Sequence, residues 1–225
     1  VINKSADPVY FRADTLSESS VTTANLHYEA GKWVGTIKSD CGYYGSCTIR
    51  ETIRSKNKEA YEAALKSIYA DEGTVSNIKY KDLDSCEKPM EVDYNIAIDA
   101  DTANVIYFNP MLKEGHQENY FKSAERKYPV EMPYKTDETY ILNIDIPKGY
   151  QVDDLPKSVR VTLKDGEAGY FEYIVSQTET GISLRSHLKL ERAFFSPKDY
   201  QVLRDFFDYV VKEHSQQFVF KKKTK

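Results

Sequence analysis

The strongest constraint on this chain is a two-residue alternation of apolar and polar side chains that returns in segment after segment. Ala24, Leu26 and Tyr28 alternate with Asn25, His27 and Glu29, and Met90, Val92, Tyr94, Ile96 and Ile98 alternate with Glu91, Asp93 and Asn95. The pattern recurs in Tyr140, Leu142, Ile144 and Ile146, then in Val159, Val161 and Leu163, in Phe171, Tyr173 and Val175, and in Ile182, Leu184, Leu188 and Leu190. Successive side chains of a strand point to opposite faces, so each run predicts a strand with one buried and one wet face. Aromatic usage agrees, since 18 Tyr and 10 Phe stand against a single Trp and aromatic rings suit half-buried pleated surfaces.

Turn residues punctuate these runs. Ala30-Gly31-Lys32 predicts a hairpin over 24–38 that returns through Trp33, Gly35 and Ile37, and Asp165-Gly166 predicts a second turn. A strand is expected from Tyr43 to Ile53, with Tyr43, Cys47, Ile49 and Ile53 on one face, and another from Val75 to Tyr80. Near Arg54 the period changes to 3.6. Tyr61, Ala64, Leu65 and Ile68 then predict an amphipathic helix closed by Gly73. A second helix starts at Ser196, with Pro197 at its first position, Asp199 placed to complete the cap, and Phe195 set to staple onto Tyr200. Its stripe is Leu203, Phe206, Phe207, Val210 and Val211, with Lys212 and His214 as positive charge for the last turn. Phe218 to Phe220 predicts a last short strand.

Strands dominate and their connections are short, which favours antiparallel pairing. The expected class is mainly β or α+β: antiparallel, sandwich-like sheets with one covering helix in each half. The polar, aperiodic segment from Lys113 to Asn119 divides the chain into units 1–115 and 116–225, and a sheet shared between them stays open.

Composition excludes several classes. With 225 residues, 40% of them apolar, the chain buries a core without a metal or disulfide staple. The longest apolar run, Val105 to Phe108, is far short of the ~20 residues of a spanning helix. A net charge of −4 implies no broad basic face for nucleic acid, and Lys221, Lys222, Lys223 and Lys225 read as a solvated tail. The chain opens on Val1 without a signal peptide's pattern, so it is expected to be a processed product or a piece of a longer protein.

Residues that could carry chemistry are few. A Cys nucleophile needs a His within hydrogen-bond reach and a third group to orient it. Of the four histidines, alternation puts His27 and His187 on polar faces and His214 at a helix end. His116 is left, and a set of Cys86, His116 and Asp137 can be written down without anything to position it. Cys41, Cys47 and Cys86 lack paired zinc-ligand spacing, although Cys41 and Cys47 could close a small disulfide loop. Asp99-Ala100-Asp101-Thr102 resembles the start of a calcium loop, but Asn104 and Pro110 occupy the places where an EF-hand needs Gly and Glu. No phosphate-binding, dinucleotide, zinc-protease or serine-hydrolase motif occurs, so no cofactor and no metal is expected.

The second half carries a resemblance. Ala124 to Tyr134 leads through Glu138-Thr139-Tyr140 into Ile146 to Tyr150, then Leu155 to Val159, Tyr173 to Gln177, Phe195-Ser196-Pro197 and Leu203 to Asp208. This series resembles the C-terminal region of bacterial transglutaminase-like proteins, where a domain of unknown function lies. It covers roughly residues 105 to 220. Gly31 to Gly35, Arg50-Glu51 and Tyr107 to Leu112 match more loosely. In that family a β-sandwich and a Cys-His-Asp core precede this region. Asp40 to Cys47 lacks the core's Trp-Cys pattern, so the resemblance implies a non-catalytic piece and assigns no catalytic residue.

The expected function is an accessory domain, not an enzyme, that packs on or presents substrate to a transglutaminase-like core of the same polypeptide, in the periplasm or at the cell surface. The alternative is an independent carbohydrate- or protein-binding β-sandwich module. A stand-alone hydrolase is the third reading. Trp33, Tyr43, Tyr44, Phe206 and Phe207 are the candidate interaction surface.

Overall fold

The computed structural model describes residues 15–100 and 103–223. Strands β1 (Ser17–Glu29) and β2 (Lys32–Asp40) are followed by helices α1 (Tyr43–Lys56) and α2 (Lys58–Ile68), then β3 (Gly73–Lys81), β4 (Glu91–Asp99) and β5 (Val105–Phe108). A long connection holds β6 (Val130–Glu131). After it come β7 (Lys135–Asp145), β8 (Tyr150–Asp154), β9 (Val159–Leu163), β10 (Gly169–Gln177), β11 (Gly181–Leu190), β12 (Phe194–Phe195), α3 (Tyr200–His214) and β13 (Phe218–Lys222).

The class is the expected one, mostly β with an α+β character. Eight strands form one sheet in the order β3-β4-β2-β1-β7-β11-β10-β9, and each half of the chain supplies four neighbours. Every pairing is antiparallel except the join, where β1 runs parallel to β7 from Ser17↔Lys135 to Leu26↔Ile144. β5, β13 and β8 form a separate three-stranded sheet, and β12 pairs with β6. The segment 113–119 therefore does not separate one sheet from another, since β5 before it pairs with β13 near the chain's end.

The alternation fixes which face is covered. Ile37, Ala24, Leu142 and Leu184 lie side by side across β2, β1, β7 and β11, and all four have no exposed surface. Asn25, Asn143 and Ser183, on the other side of the same strands, are exposed or half-buried and hydrogen-bond to one another. The small sheet lies on the covered face, where Trp33 packs against Phe108 and Phe220 at ring distances of 5.2 and 5.7 Å. α3 buries Leu203, Phe206, Phe207 and Val210 of the expected stripe, and Val211 is half-buried.

The hairpin turn is tight because Ala30 and Gly31 both take positive φ, which pairs Glu29 directly with Lys32. Two expectations fail locally. Residues 43–56 form a helix, so the first half holds two helices rather than one. Glu18 of β1 supplies the reason: its carboxylate accepts the backbone N–H groups of Tyr43, Tyr44 and Gly45 at 3.0, 2.9 and 2.8 Å. Those donors have no partner within the helix, and an anion at a helix N-terminus also meets the favourable end of its dipole. Gly73 does not close α2, which ends at Ile68; it opens β3, where an added Cβ would lie 2.1 Å from the Ala97 carbonyl oxygen.

Ser196 is a cap of a different kind from the one expected. Its hydroxyl donates to the Asp199 carboxylate at 2.8 Å, and a single 3₁₀ turn over Pro197–Asp199 precedes α3. Lys221 and Lys222 belong to β13, whereas Lys225 lies outside the described residues, as do Asp101 and Thr102 of the calcium-like run. No described helix is long and apolar enough to cross a membrane.

Candidate functional site

Polar groups converge where the covered sheet face meets the end of α3. The register of β1, β7 and β11 sets Ser20, Thr22, Glu138, Tyr140, Ser186 and Leu188 on one patch of sheet. Above them the chain folds over from Asn109, and the Tyr140 hydroxyl donates to the Pro110 carbonyl at 2.9 Å. Glu114, Gly115 and His116 come next, and His214 closes the site from the last turn of α3. These groups enclose a cavity of about 370 Å³.

Gly115 is small because it must be. A Cβ there would lie 3.0 Å from that of Met111 and 3.3 Å from that of His214. The close approach lets the His116 backbone N–H donate to Nδ1 of His214 at 2.9 Å, and it stacks the two imidazoles 5.6 Å apart at 12°. His214 Nε2 lies 2.9 Å from Ser186 Oγ, and Phe171 meets the ring edge-on. His116 Nε2 lies 3.3 Å from a Glu138 carboxylate oxygen.

Electrostatics follow from this burial. Desolvation first, and then the neighbouring His116, lower the His214 pKa to about 3, so the ring is neutral. The charge expected from it at the helix C-terminus is absent. Burial raises the Glu114 carboxyl, a Thr22 hydrogen bond opposes this, and the charge of Glu138 adds to it. Glu114 is nonetheless an exposed residue at the rim of this cleft.

A serine beside a histidine suggests a hydrolase, and the proton positions argue against one. In a Ser-His-Asp set the carboxylate accepts from Nδ1–H, which leaves Nε2 bare to take the serine proton. Here Nδ1 is itself an acceptor, so the proton of the neutral ring sits on Nε2 and is donated to Ser186. His214 has no lone pair aimed at the hydroxyl.

His187 has its own partners. On the open sheet face His187 Nε2 is 2.8 Å from Asp137 Oδ1, Arg185 donates to its Nδ1 at 2.8 Å, and Glu172 bridges Arg185 and Arg160. This is an ion-pair cluster that the Tyr170 hydroxyl joins at 3.3 Å from Nδ1, with no thiol or serine hydroxyl on the ring among the described residues. The sequence-derived set of Cys86, His116 and Asp137 is not assembled: His116 meets His214 and Glu138, Asp137 meets His187, and Cys86 lies on the 82–90 loop against α1. Cys41 is half-buried and donates to the Ser39 carbonyl, and burial, followed by the charge of Asp40, raises its thiol pKa to about 11. All three cysteines are free, and no group of ligands able to hold a metal occurs among the described residues.

The candidate interaction surface divides. Trp33, Phe206 and Phe207 are core residues, at 1%, 5% and 5% exposure, because each faces the covered side of the large sheet. Tyr43 is exposed, and Tyr44 is half-buried with its ring stacked on Tyr134 at 4.8 Å and 7°. Alternation and helix position alone missed His214 as an inward residue. The signal was present, since 214 extends the buried series 203, 207, 210 by one more turn.

Residues 104–220 match the family model of DUF3858, described as a domain of unknown function with solved-structure structure. The chain belongs to this family. The DUF3858 region opens on β5 and ends in β13, two strands that pair with each other from Phe108↔Phe218 to Val105↔Lys221, so the two ends of the family unit are tied together. The cavity draws most of its lining from this unit and takes Ser20 and Thr22 from β1. No curated protein and no solved structure matches the chain.

Proposed function

We propose that this chain is a non-catalytic accessory domain that packs on, or presents substrate to, a transglutaminase-like core of the same polypeptide, in the periplasm or at the cell surface. One observation carries the non-catalytic reading. In the cleft at the end of α3 the His214 proton sits on Nε2, facing Ser186, so that ring does not serve as general base for the hydroxyl. The resemblance of residues 105 to 220 to the region that follows a Cys-His-Asp core supports the partner. The connection between β5 and β7 supplies contact surface, with Tyr120 and Tyr128 largely exposed.

A sugar-stacking platform has less support. Such a surface needs coplanar aromatics on one face, whereas the exposed Tyr43, Tyr107, Tyr120 and Tyr128 stand on α1, β5 and two places in the connection.

The test has two arms. The chain is assayed with peptide and glutamine-donor substrates, and no turnover is expected. Turnover that disappears in His214→Asn or Cys47→Ala overturns the non-catalytic reading. The chain is then titrated into a transglutaminase-like core from the same polypeptide. Saturable binding weakened by Tyr120→Ala or Tyr128→Ala supports the docking, and no binding at high micromolar concentration overturns it.

A further inference from the structure

Hydrogen bonds made by two side chains of α1 tie the helix to one loop. Ser46 and Arg50 are the helix's only buried residues, and both are polar. The Ser46 hydroxyl accepts the Met90 backbone N–H at 2.8 Å. The Arg50 guanidinium donates from Nε to the Leu83 carbonyl at 2.9 Å, and from Nη2 to those of Asp82 and Lys88 at 2.8 Å each. Three carbonyls on one rigid planar fork fix the path of residues 82–88 against the helix.

Cys86 stands within that fixed path. Two turns in succession shape the loop, one closed by Ser85 N–H to the Asp82 carbonyl and one by Lys88 N–H to the Ser85 carbonyl, and Cys86 is at the corner of the second. Cys47 precedes Arg50 by three residues, so it lies on the same helix face one turn toward the N-terminus. Side chains on a helix lean toward the N-terminus, which brings the two residues to the same flank of the loop. The structure agrees: Cys47 and Cys86 both line one open cleft, together with Arg50, Glu51, Arg54 and Ser55. Both thiols are free and exposed. Cys41 is elsewhere, half-buried before the helix begins and engaged with the Ser39 carbonyl.

We propose that Cys47 and Cys86 form a reversible dithiol–disulfide pair that locks the 82–90 loop onto α1, and that Cys41 is not involved. The reaction is thiol–disulfide exchange with a small-molecule disulfide as oxidant. The thiolate of one cysteine attacks a sulfur of the oxidant, forms a mixed disulfide and releases one thiol. The second cysteine then attacks the protein sulfur of that mixed disulfide, and a second thiol leaves. Two protein thiols lose two hydrogens, and one oxidant disulfide becomes two thiols.

The experiment incubates the folded chain with oxidised glutathione and follows intact mass and peptide maps. The expected product has lost two hydrogens, joins the Cys47 and Cys86 peptides, and leaves Cys41 unlabelled by alkylating reagent until the protein is unfolded. A Cys41–Cys47 link overturns the proposal, and so do stable mixed disulfides held separately on Cys47 and Cys86. Cys86→Ser should convert the product to a mixed disulfide on Cys47 alone. Arg50→Lys, with folding checked by circular dichroism, should slow internal closure by at least ~10-fold while the first attack on oxidant changes little. If that variant unfolds, Glu87→Gly, which loosens the turn without touching the guanidinium, serves in its place. Closure as fast as in the unchanged chain then counts against a loop held in position.

Discussion

The backbone N–H of His116 donates to Nδ1 of His214 across 98 residues of sequence, and that one bond decides the chemistry of the cleft at the end of α3. It fixes the tautomer, turns Nε2 into a donor toward Ser186, and favours the neutral ring. A protonated His214 would lose this bond, because Nδ1–H cannot accept.

His214 should therefore make the protein sensitive to mild acid. Its folded pKa, about 3, lies below the ordinary value of 6.5, so between those limits the unfolded chain binds the proton and the folded one does not. Stability rises with pH through that window and falls as pH drops below 6.5. From pH 6.5 to 5 the loss due to this group is about 2 kcal/mol. Glu114, whose pKa is raised, contributes in the opposite sense. Denaturant melts of the unchanged chain and of His214→Asn at pH 7 and pH 5 isolate this contribution, and the variant should lose less stability over that interval.

Glu18 should be worth more than its position on a strand suggests. Truncation to Ala leaves three N–H groups of α1 without their acceptor, and hydrogen bonds to charged groups contribute about 1.5–3 kcal/mol each before their losses overlap. Glu18→Ala should cost roughly 2–4 kcal/mol in equilibrium unfolding, with faster amide exchange at 43–45. Equal stability would mean that water replaces the carboxylate without penalty.

The stripe of α3 and its cap should rank differently. Phe206 and Phe207 are buried against the sheet, so truncating either to Ala should cost about 3–5 kcal/mol. The Ser196 hydroxyl serves the Asp199 side chain rather than a backbone N–H, and Lys164 also holds that carboxylate at 2.6 Å. Ser196→Ala should accordingly cost less than the ~1 kcal/mol of an ordinary N-cap. Urea melts give the order directly.

Limited trypsin digestion should cut first after Lys122, Arg126 or Lys127. Residues 122–129 are all exposed, whereas Lys113 to Asn119, the internal boundary that the sequence suggests, is tied down through the His116 N–H and through the Asn119 side chain to the Arg204 carbonyl. The two fragments should stay together on gel filtration, because β1–β7 and β5–β13 both span the cut. Primary cleavage within 113–119, or separation of the fragments, would contradict this.

The sequence by itself determined the long strands of the eight-stranded sheet, the last strand β13, and helices α2 and α3. Alternation at 24–28, 90–98, 140–146 and 182–190 and the 3.6-residue stripe of 203–210 are local records of burial, legible because each residue's neighbours two or four places away share its environment. Tertiary structure alone decided the rest. Residues 43–56 carry Thr48, Ile49, Thr52 and Ile53, side chains that suit a strand, yet they form α1 because Glu18, 25 residues away, satisfies its first N–H groups and because Ser46 and Arg50 bond the 82–90 loop. The parallel join of β1 to β7 and the pairing of β5 with β13 leave no local mark, since each matches faces more than a hundred residues apart. The same holds for His214. Its place in the stripe was readable, but its tautomer depends on a backbone N–H that only the folded chain brings to it.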